Sequence, residues 1–497
     1  MQMPFPSGRL ASADGSVPPF TSTLSTALPL TVALAALLGV LLVAKPALIV
    51  GLIAIVLAVL GIALALTRPD LAFGGLVLLL GLVPTYAAPK AGPVLLYPAA
   101  LGAWGVAVAL MWRNYILNGR LMRWNYVDVA AVSFFALMFV SLSFSPRTEL
   151  TTYVHDAFLW IGPYFAARLL LADVESPTRV IAVSFALVTA ILAPIAVAET
   201  LGSSNPFFNL NFNSGEFTIW ASQLDRFGSV RAVTSWGHPI VFSIFLSASA
   251  LLSFAMGISS KEAKSRIVWY GLAAVATGTM ALTLSRTGWV MIAIGVVLLA
   301  LTTRGVARSR LFTLIGVAVI AILVMSIFLP NQLSVLPGFS HANESHYQTS
   351  ALYREALLHR ALEPGVLHLW GNTHNLVTPH VGYDKATDNA YILLADTWGL
   401  IPTFALFAIG ASMLVAVIRS YGQFEEEEPI AILPIVAFTT LVGIFFVAII
   451  TQLPVLMWTL IGAGGVAAER AALARAAAAR RPRRSGAQPR LSAPDLR

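Results

Sequence analysis

Long apolar runs separated by short polar joints occupy most of the chain. A bilayer core about 30 Å thick requires roughly 20 apolar residues in a helix that crosses it, and the runs approach that length. Some joints, such as Lys45-Pro46, are so short that neighbouring runs could merge or re-enter the membrane. The pattern therefore predicts an all-α, polytopic transmembrane helical bundle of about 12–14 helices. The predicted spans are 27–43, 47–66, 70–84, 92–112, 127–144, 153–171, 179–201, 237–257, 267–284, 288–303, 311–329, 390–418, 430–449 and 453–468.

The composition agrees with a chain that lies mostly in lipid. Hydrophobic residues make up 58% of the sequence and charged residues 11%, whereas soluble proteins average about 25% charged residues. We expect a transmembrane domain at 26–469 between a disordered cytoplasmic N-terminus at 1–25 and a basic cytoplasmic tail at 470–497. The chain contains no cysteine, which excludes disulfides, thiolate metal ligands and cysteine nucleophiles.

Basic residues orient the predicted bundle, because cytoplasmic loops collect Lys and Arg. An N-terminus on the inside places most basic residues in cytoplasmic segments and makes both termini cytoplasmic. The net charge of +8 is then densest beside the last span, where it would contact anionic membrane lipids, and we expect no nucleic-acid partner. Two longer segments fall outside, at 202–236 and 330–389, and the second is long enough to suggest a function. The acidic run at 425–428 falls inside and is predicted to be solvated.

Few basic residues lie on the predicted outer side, and most of them are arginines. A guanidinium group keeps its charge and matches phosphate oxygens with a planar fork, so these arginines are candidates for binding a phosphorylated lipid. Ordinary surface charge or interface anchoring is the competing interpretation for each. Arg286 stands out because it lies between two apolar runs with almost no polar loop around it. The outer basic residues are Arg147, Arg226, Arg231, Arg286, Arg354, Arg360, Lys45, Lys90 and Lys385.

The end of the first outer segment combines basic residues with a predicted helix start. Arg226 and Arg231 precede His238 and Pro239, and Pro239 is well placed to open a helix. The N–H groups of a helix start could help to hold an anion. His238 is either an acid or base or, more often at such a position, a capping or interface residue.

The second outer segment is rich in histidine but lacks the spacing of a metal site. No HExxH pattern or Asp-x-Asp pair occurs there, so we predict no metal. The segment ends with Asp388 and Asn389 immediately before an apolar run. Asp388 could be the N-cap of the next helix or a general base for a sugar hydroxyl. The histidines are His341, His346, His359, His368, His374 and His380.

These motifs resemble the O-antigen ligase/polymerase superfamily, bacterial membrane enzymes that join lipid-linked glycans on the outer face of the cytoplasmic membrane. The resemblance covers the second half of the chain, and the first six spans agree only in topology. Ligases of that family typically carry His-Asn where this chain has Asp-Asn at 388–389, which favours the exopolysaccharide and O-antigen polymerases. The resemblance rests on Arg231 followed by GHP at 237–239, on SRTGW at 285–289, and on Asp388-Asn389 with Gly399 beyond them.

The resemblance implies polymerisation of undecaprenyl-pyrophosphate-linked repeat units by inverting glycosyl transfer without a cofactor. It assigns the pyrophosphate to Arg231 and Arg286, and more loosely to Arg226 and Arg354. Asp388 or His374 would remove the proton from the acceptor hydroxyl, and we also place His238, Asn389 and Tyr391 among the substrate-binding residues. The location implied is a bacterial cytoplasmic (inner) membrane, and the further partners expected are a chain-length regulator or other polysaccharide-assembly proteins. Several aromatic residues could stack on sugars, although membrane-interface belts are the commoner role: Trp220, Trp236, Trp289, Trp370 and Tyr391.

Three alternatives stay open. A ligase would transfer the glycan to a different acceptor, and a non-catalytic scaffold would leave the outer arginines unexplained. A transporter or flippase would also have many spans. Transporters commonly keep ionisable residues near the membrane midplane and show related halves, whereas here the halves differ and the candidates lie near the ends of predicted spans. Those candidates are His155, Asp156, Arg168 and Glu199.

Overall fold

Helices make up most of the described residues in this computed structural model, and two short hairpins lie between them. In each hairpin two strands of two residues pair in antiparallel register, Lys90–Ala91 (β1) with Val94–Leu95 (β2), and Asp225–Arg226 (β3) with Ser229–Val230 (β4). The structure describes residues 59–88, 90–91, 94–119, 122–144, 150–202, 205–210, 225–226, 229–303, 308–313, 344–371, 389–420 and 428–480.

The helices follow the predicted spans closely over most of the described chain. Proline stands in the first turn of α1, α2, α5 and α6, where its missing N–H costs no helical hydrogen bond. The helices are α1 (Pro69–Leu82), α2 (Pro98–Met111), α3 (Tyr126–Phe144), α4 (Leu150–Ala172), α5 (Pro177–Thr200), α6 (Pro239–Ser259), α7 (Ala263–Leu282), α8 (Arg286–Thr302), α9 (Glu344–Leu362), α10 (Ala390–Thr397), α11 (Leu400–Arg419), α12 (Ile432–Gly443) and α13 (Leu453–Arg480).

Four of the described helices are long and apolar enough to cross a membrane: α3, α5, α6 and α11. Their length and composition indicate a membrane protein. Helix α6 is almost entirely buried and packs against α5, α7, α8 and α12, so it forms the centre of the helix packing. The other three expose apolar side chains such as Val183, Phe139 and Phe404, as helices that face lipid would.

Several elements differ from the sequence-based expectations. The run predicted as a single span at 390–418 is two helices, α10 and α11, broken at Trp398 and Gly399. The segment predicted as a loop at 330–389 contains the 19-residue helix α9. This helix has a low mean hydropathy, so the pattern of apolar runs did not predict it. Helix α13 continues past residue 470 to Arg480, into the predicted tail. The span at 27–43 and nearly all of the span at 311–329 lie outside the described residues.

A buried ion cluster joins α3, α4 and α13 at one end of the helices. Arg168 donates from Nε to Asp128 Oδ1 at 2.9 Å and from Nη2 to Glu469 Oε2 at 2.7 Å. Tyr164 donates its hydroxyl to the same Asp128 oxygen at 2.6 Å. Arg168 and Asp128 are fully buried, so each charge depends on the others for compensation. This cluster fixes α3 and α4 against α13.

Candidate functional site

Five connecting segments meet at the other end of the helices and form one group, which we call the loop cluster: 83–88, 199–210 without residues 203–204, 229–238, 282–286 and 444–452. Gln452 joins two of these segments, because its Nε2 atom donates to the carbonyl oxygen of Ser235 at 2.6 Å. The hydroxyl of Ser235 in turn donates to the carbonyl oxygen of Gly81 at the end of α1. Segments far apart in sequence are thus held as one surface.

Arg231 and Arg286 lie on two segments of the loop cluster that are hydrogen-bonded to each other. Arg231 is buried and donates from Nε to the carbonyl oxygen of Thr283 at 2.9 Å, three positions before Arg286. The adjacent backbone adds a second bond, from Ala232 N to the oxygen of Leu282 at 3.1 Å. Arg286 is exposed as the first residue of α8. One fixed and one exposed guanidinium group therefore lie on two chain segments that are bonded to each other.

His238 lies next to this pair as the N-cap of α6. Its Nδ1 atom accepts a hydrogen bond from Ile240 N at 3.3 Å, and the side chain is 5% exposed. Burial and the charge of Arg231 lower the pKa of His238 to about 3. A bond from Ser243 to Ser285, with Oγ atoms 3.0 Å apart, joins the first turn of α6 to the start of α8. His238 therefore caps the helix as a neutral group and adds no charge to the arginine pair.

Glu199 is a part of the loop cluster whose role there sequence reasoning missed. Its Oε2 atom accepts from the backbone N–H groups of Val233 and Thr234, both at 3.0 Å. Asn205 donates to Oε1 at 2.9 Å and also to the carbonyl oxygen of Thr234 at 2.8 Å. The only signal in the sequence was a carboxylate near the end of an apolar run. In the structure this carboxylate holds the turn between Arg231 and His238.

The backbone of the loop cluster is strained at three places. Among the described residues, the non-glycine positions with positive φ are Thr234 at 47°, Leu284 at 50° and Thr451 at 50°. All three lie in the loop cluster, and two of them are β-branched residues, for which this conformation is rare. Such strain costs about 1–3 kcal/mol per residue and collects at functional sites, where surrounding contacts enforce it.

A second group of candidate residues lies at the opposite end of the 444–452 segment. Arg354 donates from Nη2 to the carbonyl oxygen of Phe446 at 3.4 Å, and Ala390 N donates to Val447 O at 3.1 Å. The chain from Phe446 to Gln452 can span at most about 20 Å. Arg354 and the start of α10 therefore contact the same segment of the loop cluster that contains Gln452.

Asn389 and Tyr391 are occupied by structural contacts. The side-chain oxygen of Asn389, and not Asp388, caps α10 by accepting from Tyr391 N at 2.9 Å and Ile392 N at 3.2 Å. The Tyr391 hydroxyl donates to Leu441 O at 2.7 Å, and its ring stacks on Phe407 with centroids 4.6 Å apart. Both side chains therefore fix the position of the first turn of α10.

Other candidates separate into those that the structure describes and those that it does not. Trp236 is fully buried and stacks on Phe245 at 4.7 Å, so it belongs to the core and not to a sugar-binding surface. For Arg226 the structure describes only the backbone, in β3. Asp388, His374, Trp220 and Arg147 lie outside the described residues.

Comparison with known proteins adds no assignment. No protein-family model matches the chain, and no curated protein matches it.

Proposed function

We propose that the protein is a membrane glycosyltransferase that polymerises undecaprenyl-pyrophosphate-linked repeat units on the outer face of the cytoplasmic membrane. The observation that carries the proposal is the Arg231 and Arg286 pair on bonded segments of the loop cluster. Transfer of a glycosyl group releases the lipid pyrophosphate, so negative charge develops on the leaving group. Fixed guanidinium groups in a partly dry site are suited to stabilise that charge.

The distribution of charge supports placing the loop cluster outside a polytopic bundle. Basic residues concentrate at the end of the helices that contains the Asp128 and Arg168 cluster, as cytoplasmic ends do. At the loop-cluster end the described basic side chains are Arg231, Arg286, Arg354 and Arg360, whereas the opposite end has Arg68, Arg113, Arg123, Arg168, Arg179, Lys261, Lys264, Arg266, Arg308, Arg310, Arg419, Arg470 and Arg475.

The proposed reaction needs a base for the acceptor hydroxyl. Asp388 directly precedes Asn389, and Asn389 begins α10 beside Val447 of the loop cluster. We assign the base to Asp388, with His374 as the alternative. The proton leaves the acceptor hydroxyl, its oxygen attacks the anomeric carbon with inversion, and the bond to undecaprenyl pyrophosphate breaks.

The test is chain growth by the purified protein supplied with a lipid-linked repeat unit as the only glycan. Wild type should produce a ladder of products on a gel, and Asp388→Ala should abolish it. If a label on the lipid-linked repeat unit is transferred only after a different acceptor is added, the protein is a ligase instead. A label that only crosses a liposome membrane would identify a transporter, and either result would overturn the polymerase proposal.

Arg286→Lys tests the phosphate-binding role separately from charge. Lysine keeps the charge but lacks the fork, so we expect at least a tenfold loss of polymer formation with normal membrane insertion. Arg179→Lys is the matched control, because Arg179 is an exposed arginine at the opposite end of the helices. Near-normal polymer from Arg286→Lys would exclude Arg286 from binding the pyrophosphate.

A further inference from the structure

A second cluster of aromatic and acidic side chains lies where α3 ends, α4 begins and α10 meets α11. Ser141 in the last turn of α3 donates its hydroxyl to the carbonyl oxygen of Trp398 at 2.7 Å. Trp398 is buried and donates its indole N–H to Asp156 Oδ2 at 3.2 Å. The edge of Tyr153 packs against the Trp398 ring, with centroids 5.9 Å apart. These contacts fix the position of one carboxylate beside aromatic rings.

Asp156 lies at the same end of the helices as the loop cluster. Helices α4 and α13 run parallel, since Tyr164 contacts Gly462 and Arg168 contacts Glu469 further along. Extrapolating that register backwards places Asp156 level with the start of α13, next to Gln452. Helix α10, about 12 Å long, connects this cluster to the cap at Asn389.

The Asp156 carboxylate is half-buried and has no arginine or lysine partner within the part of the chain that the structure describes. A carboxylate near apolar surroundings is costly unless it meets hydrogen-bond donors. The indole N–H of Trp398 supplies one donor. Sugar hydroxyl groups are donors of the kind that would complete the set.

A short segment at residues 368–370, which we call the strap, places the aromatic residue Trp370 at the edge of the cluster. Leu400 N and Ile401 N donate to the carbonyl oxygens of His368 and Leu369, at 2.9 and 3.1 Å. These bonds hold the backbone of residues 368–369 against the first two residues of α11, and Trp370 follows directly. The Trp370 ring stacks on Phe144 with centroids 5.0 Å apart and planes 17° apart. Phe144 is 60% exposed, so the stack presents an aromatic surface near the α10–α11 break, where Trp398 donates to Asp156.

We propose that this cluster binds the acceptor glycan, with Asp156 accepting hydrogen bonds from sugar hydroxyls and the Phe144–Trp370 stack contacting a sugar face. The assignment of a glycan rests on the proposed function. Aromatic rings give sugars an apolar surface, and a carboxylate gives two acceptors that point in fixed directions. The arginine pair then holds the pyrophosphate of the donor, while this second site holds the chain that it joins.

The test is binding of a lipid-free repeat-unit oligosaccharide, released from the host's lipid-linked pool, to the purified full-length protein by calorimetry. Asp156→Asn keeps an acceptor for the Trp398 N–H but removes the charge, and it should weaken binding about tenfold or more. Phe144→Leu should weaken binding about threefold or more. Phe404→Ala is the control, since Phe404 is an exposed aromatic residue on α11 outside the cluster.

Arg286→Lys separates this proposal from the proposed function, because it should bind the lipid-free glycan as wild type does. Wild-type affinity in Asp156→Asn would overturn the acceptor site even if the protein polymerises lipid-linked units. Wild-type affinity in Phe144→Leu would mean that the stack only anchors the protein in the membrane interface. Glycan binding that depends on Asp156, in a protein that forms no polymer, would support the acceptor site and reject the polymerase.

Discussion

At the scale of single residues, Glu199 accepts hydrogen bonds at Oε2 from the loop that carries Arg231 and His238, and at Oε1 from Asn205. Glu199→Ala would leave the N–H groups of Val233 and Thr234 buried without their acceptor. Unsatisfied buried donors cost about 1–3 kcal/mol each, so for two donors we expect roughly 2–6 kcal/mol of lost stability. Thermal unfolding in detergent measures this loss. Glu262→Gln, an exposed glutamate at the opposite end, should leave the melting temperature unchanged. An unchanged melting temperature in Glu199→Ala would contradict the clamp.

The lowered pKa of His238 makes stability depend on pH. Burial and the charge of Arg231 lower this pKa from 6.5 to about 3, so below pH 6.5 the unfolded chain binds a proton that the folded protein does not. The free energy of unfolding is therefore at its full value above pH 6.5 and decreases as the pH falls from 6.5 towards 3. We expect a loss of about 1.4 kcal/mol at pH 5.5 relative to pH 7.5.

His238→Asn provides the comparison for that loss. Asparagine caps helices well but does not titrate, so the variant should lack this part of the pH dependence while keeping α6 intact. Denaturant unfolding at pH 7.5 and 5.5 would measure the difference between the two proteins. Equal pH dependence in wild type and His238→Asn would show that the folded protein tolerates a charged His238.

The sequence predicted some residues of the site and not others for a physical reason. Arg286 was recognisable because its charge interrupts an apolar stretch, and Arg231 because basic residues are rare in that segment. Gln452 and Glu199 were not, since their partners are 217 and 34 positions away in the chain. A neutral or acidic side chain reveals such a partner only after folding.

At the scale of elements, the break between α10 and α11 depends on Gly399. Its φ of 99° is unfavourable for other residues, and a Cβ there would collide with the backbone of Leu369, Trp370 and Gly371. Gly399→Ala should therefore destabilise the protein by more than about 2 kcal/mol. It should also weaken glycan binding, because the strap that carries Trp370 must move. Thermal unfolding and the oligosaccharide binding assay measure the two effects.

Gly410 in α11 gives a matched control for that substitution. A Cβ at Gly410 would meet nothing closer than Leu441 Cδ1 at 3.8 Å. Alanine favours a helix over glycine by about 1 kcal/mol, so Gly410→Ala should be neutral or slightly stabilising. If both variants unfold at the same temperature, the break does not require glycine at 399.

Helix positions followed from the sequence more readily than breaks did. The lengths of the apolar runs predicted α3, α5 and α6 to within a few residues. The apolar run at 390–418 gave no sign of its break, because the contact that enforces it comes from residues 369–371. Helix α9 was missed since it is largely polar and its few apolar positions, such as Leu357 and Ala361, pack against α10.

At the scale of the whole molecule, most of the ionisable residues in or near the predicted spans have partners within the chain. Arg168 is neutralised by Asp128 and Glu469, and Glu199 binds loop backbone. Arg168 and Glu199 lie near the ends of α4 and α5 and not at their middles. The side chains packed around the middle of α6 are mostly apolar. A chain of titratable groups from one end to the other, as proton-coupled transport would require, does not occur among the described residues.

The orientation of the molecule can be tested by labelling single cysteines, because the natural chain has none. Arg360 and Lys264 are both exposed, on α9 beside the loop-cluster end and on α7 at the opposite end. In spheroplasts a membrane-impermeant maleimide should label Arg360→Cys at once and Lys264→Cys only after lysis, since we expect the more basic end to face the cytoplasm. The cysteine-free parent measures background, and lysed spheroplasts show that both thiols can react. Labelling in the reverse order would place the arginine pair on the cytoplasmic side of the membrane. Polymerisation on the outer face could not use the pair there, so this result would exclude the proposed function.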